Sequence, residues 1–170
     1  MSSTQRALLI EAPFEGLNGT LYDAQSILRV LESKGFVAET CFGEDATRSG
    51  IFQAWERLIF ETTEDDAVVL YYSGDGGLVQ SPQGDKSVET DDDTRPWRYQ
   101  FLVPVDYNQS TEDDFRGILD VEISHVLRQL NERTRNVTVI LDCCYSGRMF
   151  RAPMLEGQAR QKSLKDVQFH

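Results

Sequence analysis

Two stretches of the sequence end in residues that can do chemistry. Val137–Gly147 (VTVILDCCYSG) is an apolar run that leads into an aspartate, two cysteines and a Tyr-Ser-Gly turn. Ala67–Gly77 (AVVLYYSGDGG) is a similar run that leads into Ser-Gly-Asp-Gly-Gly. Each run predicts a buried strand, and open α/β sheets place their active residues at the carboxyl tips of such strands. Two buried structural cysteines would explain the first stretch equally well, because free cysteine is often buried.

Together the two stretches resemble the paired signature of the caspase-like cysteine peptidases, most closely the metacaspases. In that family one strand ends in Ser-Gly-His-Gly, which supplies the catalytic histidine, and a later strand ends in Asp-x-Cys-x-Ser-Gly, which supplies the nucleophile. The second motif is intact and places the nucleophile at Cys144, while Cys143 is expected to point into the core. The first reads Ser73-Gly74-Asp75-Gly76. The resemblance covers about residues 6–150 and implies a cysteine endopeptidase with a role in programmed cell death.

Asp75, in place of the histidine, is the main departure from the family pattern. An ordinary aspartate has a pKa of ~3.9 and a free thiol one of ~8.5, so moving the proton from cysteine to aspartate is uphill by about 6 kcal/mol. Three interpretations remain open: a natural base whose pKa is raised by burial, a pseudo-peptidase, or an engineered inactivating change. His125 and His170 are predicted to lie on a helix surface and at the chain end, where neither would substitute.

The resemblance also implies how substrate is held. Metacaspases cleave after Arg or Lys, and their binding pocket maps onto Asp142 and Asp23, with Ser73 and Thr20 lining it. Two carboxylates can neutralise a guanidinium and accept its forked donors. The simpler interpretation makes Asp23 a helix N-terminal residue favoured by the macrodipole and Asp142 a turn residue. The backbone N–H groups of Gly76 and Cys144 are the implied oxyanion donors.

Calcium is the only cofactor that the sequence suggests, because many metacaspases bind it through scattered aspartates and hard cations prefer oxygen ligands. Two features oppose a site: the family's paired aspartates before the third helix read Asp120-Val121 here, and Arg151 stands where calcium-binding members tend to carry an acid. A solvated acidic surface is the alternative. The weak candidate ligands are Asp91, Asp92, Asp93 and Asp120.

The composition limits the partners and the compartment. The 170 residues carry a net charge of −11, from 17 basic and 28 acidic side chains, so nucleic acid and anionic membranes are poor partners and basic protein or peptide substrates are plausible. Three cysteines do not make a disulfide framework, and the sequence has neither a signal peptide nor a membrane span. The cysteine content favours a reducing compartment, the cytoplasm or the nucleus, of which we expect the cytoplasm. We also expect a monomer.

The spacing of apolar residues predicts strands that alternate with helices, and hence right-handed crossovers. The expected fold class is α/β: a three-layer caspase-like fold with a mainly parallel sheet flanked by helices on both faces. Residues 1–150 are expected to form this domain and residues 151–170 a polar tail, without the further strand-helix-strand unit that the family usually supplies. Residues 78–99 are expected to be a long acidic loop. The predicted strands are 6–11, 36–42, 67–72, 99–105 and 137–141, and the predicted helices are 21–34, 48–62 and 120–132.

Overall fold

The computed structural model describes residues 3–17, 19–80 and 98–143. Within these ranges the chain forms seven strands, three α-helices and two short 3-10 turns. The strands are β1 (Gln5–Ala12), β2 (Val37–Phe42), β3 (Ala67–Gly74), β4 (Gly76–Gln80), β5 (Arg98–Leu102), β6 (Ile118–Leu119) and β7 (Asn136–Asp142). The helices are α1 (Thr20–Ser33), α2 (Arg48–Glu61) and α3 (Asp120–Arg133).

Four strands form a wholly parallel sheet in the order β2-β1-β3-β7. β1 and β3 are in register along their whole length, from Gln5 opposite Ala67 to Ala12 opposite Gly74. Parallel neighbours need long crossovers, which the three helices and, before β7, the smaller sheet supply. The carboxyl ends of all four strands therefore meet at one rim.

Helices cover both faces of this sheet, as the sequence predicts. On one face, α1 packs its buried Ala24 against Leu9 of β1 and Tyr71 of β3. On the other face, α2 and α3 enclose a larger core that contains Trp55 and Val126. Strands that are covered on both sides explain the near-continuous apolar runs in β1 and β3. No helix among the described residues is long and apolar enough to cross a membrane.

The prediction of a structureless loop over residues 78–99 is wrong at both ends. β4 and β5 pair antiparallel, from Gly76 opposite Leu102 to Gln80 opposite Arg98, and β6 pairs with β5 to complete a second, three-stranded sheet. β5 ends at Leu102, so the predicted strand to residue 105 is too long. Position 77 must be glycine, because any Cβ there would collide with the Phe101 ring. The start of β4 therefore has no side-chain pattern that would predict a strand.

The ends of the helices agree with the sequence at two positions and differ at a third. The Thr47 hydroxyl accepts from the Gly50 N–H at 3.0 Å and caps α2, and Gly35 follows α1 with a φ of +87°. Asp120, a residue type that often caps helices, is instead the first residue of α3. Glu122 serves the helix start instead, since its carboxylate accepts from the Leu119 N–H at 2.9 Å.

Candidate active site

Three residues lie in one row at the carboxyl end of the parallel sheet, one on each of three neighbouring strands. Glu11 of β1 lies opposite Ser73 of β3, and Ser73 lies opposite Asp142 of β7. Side chains alternate between the faces of a strand, and Leu9 and Tyr71, two residues before Glu11 and Ser73, pack on the α1 side. The row therefore lies on the α1 face of the rim.

The hydroxyl of Tyr71 connects this row to α1. Its oxygen lies 3.4 Å from Asp142 Oδ2. Burial raises the pKa of Tyr71 to about 12; a hydrogen bond with Ser73 lowers it, and the negative charges of Asp142 and Asp23 raise it further. Asp23 belongs to the first turn of α1 and donates its backbone N–H to the Gly19 carbonyl at 2.9 Å. The structure thus places Ser73 and Asp142 at one buried phenol, and the charge of Asp23 acts on the same hydroxyl.

Thr20, the fourth predicted pocket residue, is held by an acid that sequence reasoning missed. Its hydroxyl donates to Glu11 Oε1 at 2.6 Å, and the Gly43 N–H donates to Glu11 Oε2 at 3.1 Å. An open pocket of about 460 Å³ adjoins this bond on the β2 side. Its lining residues are Glu11, Pro13, Leu17, Gly19, Thr20, Leu21, Phe42 and Gly43.

Asp75 lies where the chain passes from the parallel sheet to the antiparallel one. Its carbonyl oxygen accepts from the Val103 N–H at 3.0 Å and from the Tyr72 hydroxyl at 2.9 Å. Tyr72 is fully enclosed in the core, and a Cβ at Gly74 would come within 2.6 Å of its hydroxyl. Tyr72 therefore holds the Ser-Gly-Asp turn from the core side. The Asp75 side chain is half-buried.

Tyr72 also shows that the two sequence motifs meet. Burial raises its pKa well above the usual value, and the next contributions include the negative charges of an ionised Cys143 and of Asp75. The hydroxyl therefore lies near the ends of both β3 and β7. Cys143 packs against the buried core, as predicted. The predicted nucleophile, Cys144, follows it in the sequence and lies outside the described residues.

Three further residues could in principle contribute to catalysis: Gly76, His125 and Cys41. Gly76 is buried at the start of β4, opposite Leu102, and His125 is exposed on α3, as predicted. Cys41 is buried, and burial together with the charges of Asp45 and Glu39 raises its pKa to about 11. A thiol with that pKa is not a nucleophile at neutral pH.

The structure bears only in part on the calcium prediction. Asp91, Asp92 and Asp93 lie outside the described residues, and Asp120 is half-buried at the start of α3. Within the described ranges, no group of three His, Cys, Asp or Glu side chains is arranged to hold a metal ion. The acids of the rim are thus not gathered at metal-ligand spacing, and calcium stays a prediction.

Glu11 and Tyr71 are the two site residues that sequence reasoning missed. Glu11 had one available signal, an acid that ends an otherwise apolar strand (RALLIE). Tyr71 had none, because an aromatic residue inside an apolar run indicates core packing.

Comparisons with known proteins agree with the motifs and the fold. Residues 5–153 match the family model described as metacaspase, peptidase C14 domain. The chain is 28% identical to Metacaspase-2 of Trypanosoma brucei brucei over 168 residues, which cover 88% of this chain and 44% of that protein. It is 28% identical to Metacaspase-4 of Arabidopsis thaliana over 177 residues, covering 96% of this chain and 38% of that one. The chain thus spans less than half the length of these relatives.

A solved structure supports the fold alone. Protein GSU0716 from Geobacter sulfurreducens superposes with a TM-score of 0.61 and 21% sequence identity. The match covers 85% of this chain and 52% of that chain. Such a likeness supports the three-layer architecture and carries no assignment of activity.

Proposed function

The chain belongs to the metacaspase family, peptidase C14 domain, and we propose that it is a cysteine endopeptidase that cleaves proteins or peptides after Arg or Lys. The family supports cysteine peptidase chemistry. The observation that carries the specificity is the row of Ser73 and Asp142 beside the Tyr71 hydroxyl, on the sheet face covered by α1, whose first turn carries Asp23. The experiment that tests the proposal is cleavage of a fluorogenic peptide ending in Arg, measured beside Cys144→Ala and beside a matched peptide ending in Asp.

The proposed preference for arginine depends on the charge of the pocket and on its number of hydrogen-bond acceptors. Asp23 and Asp142 are exposed carboxylates on two different elements, and the charges of both act on the Tyr71 hydroxyl. A guanidinium has five N–H donors in a planar fork, and the hydroxyls of Ser73 and Tyr71 add neutral acceptors beside the two acids. A side chain of Asp or Glu would meet like charges on both sides and be rejected.

In the proposed reaction, the Cys144 thiol gives up its proton to solvent, and the thiolate attacks the carbonyl carbon of the residue in the pocket. The new C–S bond forms, the carbonyl oxygen becomes an oxyanion held by the N–H groups of Gly76 and Cys144, and the C–N bond breaks. The leaving amine must gain a proton, and water then hydrolyses the thioester to release the acid. The position of Gly76 directly after the fixed Asp75 turn supports its role as an oxyanion donor.

Asp75 replaces the histidine that normally moves these protons. We propose that it acts as the acid when protonated, which requires that partial burial raise its pKa. Its half-buried position, with its backbone carbonyl bonded to the Tyr72 hydroxyl, supports this role. Because protonated aspartate predominates only at acidic pH, we expect activity below neutrality.

The alternative is a catalytically inactive binding or regulatory module. The observation that favours it is Asp75 itself, since an ordinary carboxylate is a poor base for a thiol. The acids of the pocket would then bind basic peptides without cutting them. An inactive module predicts binding of arginine peptides with no Cys144-dependent cleavage at any pH. A plain interaction domain, the third possibility, predicts no preference for arginine.

The compartment, partners and cellular role complete the proposal. The surplus of acidic residues supports basic protein substrates and argues against nucleic acid or anionic membranes. The three cysteines, an odd number, do not make a disulfide framework and support a reducing cytoplasm. We propose a monomer that acts in programmed cell death, as the family resemblance implies.

A further inference from the structure

Glu11 is a buried carboxylate at the end of β1. It lines the open cavity beside Thr20 and lies one strand from Ser73. Only 2% of its surface is exposed, and acids are seldom buried so deeply unless they are paired or hydrogen-bonded. Both oxygens are hydrogen-bonded, one to the Thr20 hydroxyl and one to the Gly43 N–H. One side chain thus ties the end of β1 to the start of α1 and to the turn after β2.

The bond to Thr20 fixes the helical turn that carries Asp23. α1 begins at Thr20 after Gly19, which has a φ of +111° and provides no side-chain cap. A helix start without a cap leaves its first N–H groups unsatisfied and its positive end free. Glu11 places a negative charge at that end and holds the first residue, so the orientation of Asp23 over the rim depends on it.

The charge of Glu11 also contributes to the pocket. Glu11 lies one strand from Ser73 and two strands from Asp142, and neighbouring strands are ~4.8 Å apart. A buried charge is poorly screened by water, and the field of Glu11 already raises the pKa of Tyr72. A cation between Asp23 and Asp142 would therefore be stabilised by a third acid that it does not touch.

We infer that Glu11 is a positioning residue of the basic-residue pocket, which holds Thr20 and the Asp23 turn and favours a charged guanidinium over a neutral group of the same shape. The inference rests on the proposed Arg/Lys pocket. It does not depend on whether the chain cleaves peptides.

Arginine and citrulline peptides provide the test, because the two side chains have nearly the same shape and differ in charge. Dissociation constants of acetylated peptide amides ending in each residue are measured for the unmodified chain, for Glu11→Gln and for Glu132→Gln. Glu132 is an exposed acid near the end of α3, at the opposite rim, so its variant makes the same change in net charge. We expect Glu11→Gln to weaken arginine binding about fivefold and citrulline binding less than twofold, and Glu132→Gln to change neither.

Thr20 supplies a second variant pair in case Glu11→Gln does not fold. Thr20→Val removes the hydroxyl that donates to Glu11 and should bind the arginine peptide several-fold more weakly than Thr20→Ser, which keeps it. Equal losses for arginine and citrulline in Glu11→Gln, or equal behaviour of the two Thr20 variants, would overturn the inference. If the unmodified chain binds arginine and citrulline equally, the proposed pocket fails and the inference fails with it.

Discussion

The hydroxyl of Tyr71 on β3 lies 3.4 Å from Asp142 Oδ2 on β7. This contact joins the ends of the two strands that carry the sequence motifs, and it lies on the face that α1 covers with Asp23. The pocket is therefore assembled from three elements that are far apart in the sequence. The first two of the following predictions test that assembly directly.

Asp142→Asn tests the pocket acid directly. Removing the charge while keeping the size should weaken binding of an arginine peptide about tenfold, because a guanidinium loses one of its two carboxylate partners. Asp65→Asn is the matched control, since Asp65 is exposed in the turn before β3, at the other end of the sheet. Calorimetric titration measures both. Equal binding of arginine and aspartate peptides by the unmodified chain would remove the pocket.

Tyr71→Phe tests the shared hydroxyl. We expect arginine binding to weaken about threefold, as for the loss of one neutral hydrogen bond, while thermal stability changes little because the ring still packs against α1. The pKa of about 12 also predicts that Tyr71 stays neutral up to pH 11. An absorbance titration compared between the two proteins measures this, and a Tyr71 signal that titrates near pH 10 would contradict the buried, acid-flanked environment.

Asp66 anchors the opposite end of the sheet and predicts a pH dependence of stability. Burial would raise its pKa, but N–H donors from Thr63 and Thr4 and the Arg6 side chain outweigh this and lower it to about 2. Because the folded pKa is below the unfolded value of 3.8, the stabilisation is present above pH 4 and is lost as pH falls towards 2. Asp66→Asn should cost about 2 kcal/mol at pH 7 and much less near pH 2. Urea unfolding at both pH values checks this; a constant difference would contradict it.

Calcium is tested by melting temperature. If Asp91 and Asp92 bind the ion, millimolar Ca²⁺ should raise the melting temperature by mass action, and the double change Asp91→Ala with Asp92→Ala should abolish the gain. Magnesium at the same concentration is the control for a general effect of divalent cations. An unchanged melting temperature would favour a solvated acidic surface.

The alternation of strands and helices was predictable from the sequence because the apolar periods are clear, and so was the meeting of the two motifs, because parallel strands end at one rim. The contacts of Glu11 were not, because they depend on the register of β1 with β3 and on the loop after β2. The small sheet was missed for a local reason. β6 has two residues, and β4 begins with two glycines, so neither has a side-chain pattern to detect.

Asp75 variants test how the proposed acid works. Asp75→Ala should cleave the arginine peptide more slowly than the unmodified chain, since no group would protonate the leaving amine. Asp75→His should restore the family pair, move the optimum towards neutral pH and raise the rate by about 100-fold. Asp113→His, on an exposed loop residue, controls for adding a histidine. If Asp75→Ala cleaves as well as the unmodified chain, Asp75 has no part in proton transfer.

The central claim is cysteine-dependent cleavage after arginine with Asp75 as the acid, and a pH–rate profile tests it most directly. Cleavage of an arginine-ending fluorogenic peptide is followed from pH 4 to pH 9 for the unmodified chain and for Cys144→Ala. We predict that the cleavage rate of the unmodified chain has a maximum below neutral pH and falls at higher pH as Asp75 loses its proton. Cys144→Ala should have no cleavage activity at any pH. Identical flat profiles for the two proteins would contradict the peptidase assignment and leave an inactive binding module or a plain interaction domain.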